Sequence, residues 1–140
     1  MSLQIQPVSI EHVLLVWPKV EKFFSDSVKY QEDYTLDQVK QSLAKGEWQL
    51  LVATRRANIV GAAAVNYYNT PNERVAFVTF TGGRFLAVPE ALEGLKAVVT
   101  SNGATCIEGA GRPAVSRLWR QHFGFHEKYV VFQLKLGEEK

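Results

Sequence analysis

The sequence predicts an α/β (α+β) fold: a mixed, mainly antiparallel central sheet with helices on both faces. Three observations carry this expectation. Apolar residues recur at three- and four-residue spacing in the first quarter of the chain and again around residues 92–99. Three apolar runs lie close together between residues 48 and 81, joined by short turn signals. The stretch from Ala104 to Phe125 then reads as a short strand, a glycine-broken loop, an amphipathic helix and a Gly-Phe stop.

A chain of 140 residues is long enough to bury a core without staples, so 1–140 is read as one domain with a frayed tail at 137–140. Apolar residues make up 46% and charged residues 21%, which excludes wholesale disorder. A net charge of +2, with Arg and Lys scattered, gives no basic stripe for nucleic acid. The single Cys106 forms no internal disulfide and sits in an apolar strand reading. No His/Cys cluster has metal-ligand spacing, and no run approaches the roughly 20 apolar residues of a membrane span. The N-terminus lacks a basic-then-apolar signal pattern, so the expected location is a cytoplasm.

The elements follow in order. Leu3 to Pro7 alternates apolar and polar, as a first strand does. Ser9 caps a helix over residues 9–26 carrying Val13, Leu14, Trp17, Val20, Phe23 and Phe24, which Pro18 should kink or split. Lys29 to Tyr34 is polar and reads as a loop. Thr35 caps a second helix that Gly46 ends. Strands at Trp48–Thr54, Ile59–Tyr68 and Arg74–Thr81 make an antiparallel meander, with turns at 55–58 and 69–72. The small residues from Gly61 to Ala64 predict a helix packed close against that strand. Gly82-Gly83 interrupts the third of these strands; Pro89 then opens a helix that Asn102-Gly103 stops. Ala104 to Ile107 is a short strand, Ala114 to His122 a helix, and Phe125 to Leu136 one or two strands. The expected order is β-α-α-β-β-β-α-β-α-β.

This order and its landmarks resemble the GNAT acetyltransferase superfamily. The landmarks are Gly61 early in the third strand and Ser116 to Phe125, which looks like that family's helix ending in Gly-Phe. Trp17-Pro18, Gly46 to Leu50, Gly82-Gly83 and Gly111-Arg112-Pro113 further resemble a divergent group of bacteriophage-encoded GNAT-like proteins. The resemblance implies transfer of an acetyl group from acetyl-CoA to an amine of a small molecule or protein. It requires no metal. Such chemistry needs backbone N–H groups for a pyrophosphate, splayed strands for the thioester, and an acid and a base.

The family's pyrophosphate pattern, Gln/Arg-x-x-Gly-x-Gly/Ala, falls here on Thr81, Gly82, Gly83 and Arg84, with different spacing and with Glu90 and Glu93 in the next helix. Two glycines and an arginine suit a phosphate; a tight turn before an acidic helix start is the other reading. Where the family often carries a tyrosine acid, four residues before the Gly of Gly-Phe, this chain has Arg120, which gives up no proton near neutral pH. Trp119 beside it is read as core, on a face with Val115, Leu118 and His122, or else as a platform for a ligand. Glu108, at the end of the strand before the glycine loop, is the candidate base; an ion pair with Arg112 is its alternative. Arg112 itself, held between glycine and proline, is the loop residue placed to touch a ligand or partner. His122 and His126 are read as packing or surface residues.

Two functions compete. One is a small acetyltransferase. The other is a GNAT-shaped phage protein without catalysis, serving as a virion component or a binder of a host factor in the bacterial cytoplasm. A nucleic-acid module ranks last. The open sheet edge and Tyr67-Tyr68 leave room for a homodimer.

Overall fold

The computed structural model describes residues 3–85 and 88–137. It contains a five-stranded sheet and four α-helices in the order β1 (Gln4–Val8), α1 (Val13–Gln31), α2 (Leu36–Ala44), β2 (Gln49–Arg55), β3 (Asn58–Asn69), β4 (Arg74–Gly83), α3 (Pro89–Ser101), β5 (Cys106–Gly109) and α4 (Pro113–Phe123). A 3-10 turn, Ile10–His12, leads into α1. Strand order in the sheet is the order in the chain. β1 to β4 pair antiparallel, and β4 pairs with β5 in parallel, which the intervening α3 makes possible. The expected mixed, mainly antiparallel sheet is present, with helices on both faces.

Strand alternation sorts the core into two layers. Leu51, Ala53, Ala63, Val65, Ala76 and Val78 face α3, where they meet Leu92, Leu95, Val99 and the buried Phe85. Leu50, Val52, Ala62, Ala64 and Phe80 face α1 and α2, where they meet Trp17, Val20, Phe24, Val39 and Leu43. The small residues of β3 let helices lie close on either side, as their sequence predicts. Closest of all is α1 on β4. A Cβ built on Gly82 would lie 1.6 Å from the Phe23 carbonyl oxygen, so only glycine admits the helix backbone there.

Four expectations are corrected. Pro18 neither splits nor ends α1, which runs unbroken from Val13 to Gln31. The carbonyl that loses its partner belongs to exposed Leu14, where water can replace the missing bond. The same helix absorbs Lys29 to Gln31, expected as loop. Ser27 and Gln31 explain why this turn looks unhelical in sequence: they are polar yet face the sheet, donating to the carbonyls of Thr81 (2.8 Å) and Thr79 (3.2 Å). Thirdly, the final strand is not formed. Among the described residues no strand follows α4, and residues 124–135 run on without secondary structure before a turn at 136–137. Gly82-Gly83, expected to interrupt β4, instead closes it as its last two residues.

Candidate active site

β4 and β5 pair only from Val75–Cys106 to Val78–Gly109. A register shift between Ala64 and Val65 leaves Thr79 of β4 as an extra residue against β3. Such a bulge bends its strand. β4 then continues to Gly83, while β5 gives way to the Gly109–Arg112 loop. Pairing between the two parallel strands therefore stops at Val78 and Gly109, which leaves a gap in the ladder at their C-terminal ends.

Glu108 stands at the mouth of this gap. Its neighbour Ile107 packs on the α3 side with Trp119 and Phe123, so alternation sends Glu108 to the opposite face. There it accepts a hydrogen bond from the Tyr68 hydroxyl (3.1 Å) and pairs with the Lys128 ammonium at 2.7 Å. The Glu108 side chain keeps 19% of its accessibility, so a ligand can still reach it. The bond to Glu108 holds Lys128 protonated above the ordinary lysine range. Desolvation, then the hydrogen bond to the Glu108 carboxylate, pushes the Tyr68 phenol up from its ordinary value. Cys106, two residues back on the same face, is likewise pushed up by desolvation and then by Glu73 and Glu108; a thiol so placed stays protonated.

The Glu108–Arg112 ion pair is absent. Lys128 takes the carboxylate, and the Arg112 guanidinium lies over the Tyr30 ring, 5.4 Å from its centroid. Arg112 thus ties the β5–α4 loop to the last turn of α1, across the gap from Glu108's partners. Trp119 is half-buried against the α3-side core, with its ring beside Gly109 and 5.1 Å from that of Phe125. Its expected companions Leu118 and His122 are exposed. Arg120 lies along its own helix, donating to Ser116 at 3.3 Å.

The residues read as a phosphate loop are strand residues. Thr81, Gly82 and Gly83 pair with Ala63, Ala62 and Gly61 of β3, and Arg84 follows with its N–H on the Val60 carbonyl (2.8 Å). The other side of Thr81 and Gly82 is covered by α1 through Ser27 and Phe23. Arg84 is exposed. The following helix, α3, begins at Pro89 with no side-chain cap from Val88, and its Ala91 N–H bonds the Val88 carbonyl (3.0 Å). Beside this end of the sheet, a surface cleft of about 410 Å³ is lined by Arg55, Arg56, Asn58 and Val60. The Arg55 Nε is buried there with no hydrogen-bond partner among the described residues. No group of three or more His, Cys, Asp or Glu gathers to hold a metal, and no helix is long and apolar enough to cross a membrane, among the described residues.

Known structures share this fold. A probable acetyltransferase superposes with a TM-score of 0.68 at 14% identity, over 97% of this chain and 99% of that one. The fold is that of the GNAT acetyltransferases. An aminoglycoside acetyltransferase from an uncultured soil metagenomic sample, solved with sisomicin, gives 0.66 at 11% identity over 96% of both chains. The ribosomal-protein-alanine N-acetyltransferase of Brucella melitensis biovar Abortus 2308 gives 0.66 at 13% identity, over 97% of this chain and all of that one. In sequence, no family model and no curated protein matches.

Tyr68, Lys128, Tyr30, Ser27 and Gln31 join the candidate site through contacts that the sequence reading missed. Lys128 lies 20 residues from Glu108 and Tyr68 lies 40, so no local spacing could announce them. Ser27 and Gln31 left one usable signal: with Val28, they continue the helical period of α1.

Proposed function

We propose that the protein is an acyl-CoA-dependent N-acetyltransferase of the GNAT superfamily, acting on an amine of a small molecule or protein. One observation carries the reading: β4–β5 pairing stops at Val78 and Gly109, with a carboxylate at the mouth of the gap. An amine acceptor arrives as an ammonium at neutral pH and must shed a proton before it can attack a thioester carbonyl. Glu108 is placed to take that proton, directly or through a water. Lys128 and the Tyr68 hydroxyl hold the carboxylate in place.

Acetyl-CoA fits this chain as a substrate on two counts. Where the β4–β5 ladder stops, a thin extended group can lie along the strand ends, and the start of α3, which has no side-chain cap from Val88, suits a pyrophosphate. Arg84, at the end of β4, supplies positive charge toward that helix start. The Thr81, Gly82 and Gly83 backbone has a different part: it anchors α1, which walls the gap. Arg120 neither donates a proton nor faces the gap's carboxylate, so the departing thiolate takes its proton from solvent. Arg112, stacked on Tyr30, borders the route for the acceptor. Trp119 packs beneath the loop and steadies it.

A second reading has its own support. Lys128 occupies one oxygen of Glu108, and arginine stands where related enzymes often use tyrosine; both suit a GNAT-shaped phage protein that binds a virion or host partner without catalysis. Thermal denaturation with acetyl-CoA separates the two. A ligand at about 100 times its Kd stabilises the native state by about 2.7 kcal/mol, so the melting temperature of the enzyme must rise. Turnover of Glu108→Gln is then expected to fall by roughly 100-fold or more. No thermal shift, together with recovery of the protein in phage particles, would leave the binder. Binding with unchanged turnover in Glu108→Gln removes Glu108 as the base.

A further inference from the structure

We infer that the cleft at the β2–β3 hairpin is a second binding site, which takes the phosphate group of a small phosphorylated compound on Arg55 and Arg56. The site stands apart from the β4–β5 gap, and the inference holds whether or not the protein is an acetyltransferase.

The hairpin carries residues that its shape does not favour. Arg55 pairs with Asn58, so Arg56 and Ala57 alone make the turn. Both are left-handed, at φ 53° and 66°, which is the kind of two-residue turn that favours Asn-Gly. A side chain at position 56 is therefore kept against the preference of the backbone. What it adds is a cation at the lip of the cleft, since Arg56 is exposed and lines it with Arg55, Asn58 and Val60.

Arg55 supplies the second cation, in an unfinished setting. Its Nε is buried with no hydrogen-bond partner among the described residues. A buried donor without an acceptor is costly, and more so on a charged group. No carboxylate neutralises either arginine: the ion pairs among the described residues are Lys96–Glu93 and Lys128–Glu108. A turn about the outer side-chain torsions would bring Nε and one Nη side by side onto an oxyanion, the geometry that a guanidinium fork matches. A third arginine begins next door, because the Arg84 N–H bonds the Val60 carbonyl at 2.8 Å and Arg84 is exposed.

The lining also restricts the ligand. Among the described residues it holds no carboxylate, so it does not suit a cation or an amine. It holds no aromatic ring on which a base could stack, so a nucleic-acid strand gains nothing but charge there. About 410 Å³ is room for a small molecule, and Asn58 and Val60 offer one amide and one apolar side chain to the part beyond the phosphate. Nor is the cleft the mouth of the β4–β5 gap. Strand order is that of the chain, so the β2–β3 turn lies two strands from the β4–β5 seam, about 10 Å at the usual strand spacing. An acyl group in the gap and a phosphate on the hairpin can therefore be held at the same time.

Isothermal titration calorimetry of the full chain with inorganic pyrophosphate, in low-salt chloride buffer, tests this. The expected result is saturable binding with a Kd below about 1 mM. Arg55→Gln and Arg56→Asn are each expected to weaken it by roughly 10-fold or more. Asparagine suits a left-handed turn better than arginine, so Arg56→Asn is expected to melt no lower than the wild type while it loses the anion. Arg117→Gln, which removes an exposed arginine of α4, controls for net charge and is expected to change Kd by less than about 2-fold. Saturating acetyl-CoA is expected to leave the Arg55-dependent binding in place. Absence of saturable binding overturns the site, and so does an equal loss in Arg117→Gln. Displacement by acetyl-CoA would identify the anion with a phosphate of the coenzyme and overturn a second site. Wild-type affinity in Arg55→Gln or Arg56→Asn overturns it as well.

Discussion

Replacing Gly82 by alanine tests how the site is walled. The added Cβ would lie 1.6 Å from the Phe23 carbonyl oxygen, 2.4 Å from its carbonyl carbon and 2.8 Å from its Cα. Ordinary contact is about 3.5 Å, so α1 and β4 must separate by roughly 2 Å. The atoms struck are helix backbone, which cannot rotate aside as a side chain can. Nor can α1 shift freely, because Val20 and Phe24 on the same helix are fully buried. Separation also breaks the bonds from Ser27 and Gln31 to the carbonyls of β4. Overpacking of this kind costs typically about 1–3 kcal/mol, and a backbone clash belongs at the top of that range. For a domain of this size, that lowers the melting temperature by roughly 10 °C. Gly111→Ala is the control: its Cβ meets Val115 at 3.6 Å, an ordinary contact, and the expected change is within about 0.5 kcal/mol. Paired thermal and urea denaturation of the two variants gives the comparison. Should Gly82→Ala melt within about 2 °C of the wild type, α1 does not rest on this residue. A variant that keeps its melting temperature but loses acetyl-CoA binding would return Gly82 to the phosphate-loop role that the family pattern implies.

Two further predictions concern stability. Tyr67, Tyr68, Cys106 and Lys128 all have pKa values raised in the folded chain, the first three chiefly by desolvation and Lys128 chiefly by its bond to Glu108. A raised folded pKa gives stability that is complete below the unfolded value and lost as pH rises through the folded one. The urea midpoint is therefore expected to fall between about pH 9 and 11, and a flat profile there would contradict the raised values of these groups. Separately, Thr35 and Gln38 form a reciprocal capping box at the start of α2, with bonds of 3.1 and 2.9 Å. Thr35→Ala should cost about 1 kcal/mol in urea denaturation, and no measurable loss would show that the box is dispensable.

The sheet and the helices were legible because each is written locally. The β2, β3 and β4 runs carry strand-type residues between turn signals, and α2, α3 and α4 carry their own caps, Pro starts or Gly stops. Failures arose where meaning depends on a distant partner. Ser27 and Gln31 are polar, which reads as loop, until Thr79 and Thr81 supply acceptors some 50 residues away. Gly82-Gly83 reads as a turn until Phe23 is seen lying on it. Glu108 stands out as a candidate by its place at the end of a short strand, with the nearest arginine in sequence as its alternative partner. The real counter-ion, Lys128, becomes a neighbour only after α4 has carried the chain back. Residues 129–136 show the converse case. Their pattern is that of a strand, but a strand exists only with an edge to pair with, and no pattern within one segment names that edge.

These distant contacts make the site a junction rather than a pocket carved in one element. Arg112 on Tyr30 fastens the β5–α4 loop to α1, and Ser27 and Gln31 fasten α1 to β4. The gap between β4 and β5 is thus framed by a helix that is itself locked on both sides of the opening. On the far side of β5 the frame is lighter: Lys128 on Glu108 and Phe125 on Trp119 hold the start of a segment whose remainder is exposed. β5 pairs with β4 over only four residues, so it has little ladder of its own to resist displacement. What steadies Glu108 therefore comes from outside β5: the Tyr68 hydroxyl from β3 at 3.1 Å and the Lys128 ammonium from beyond α4 at 2.7 Å.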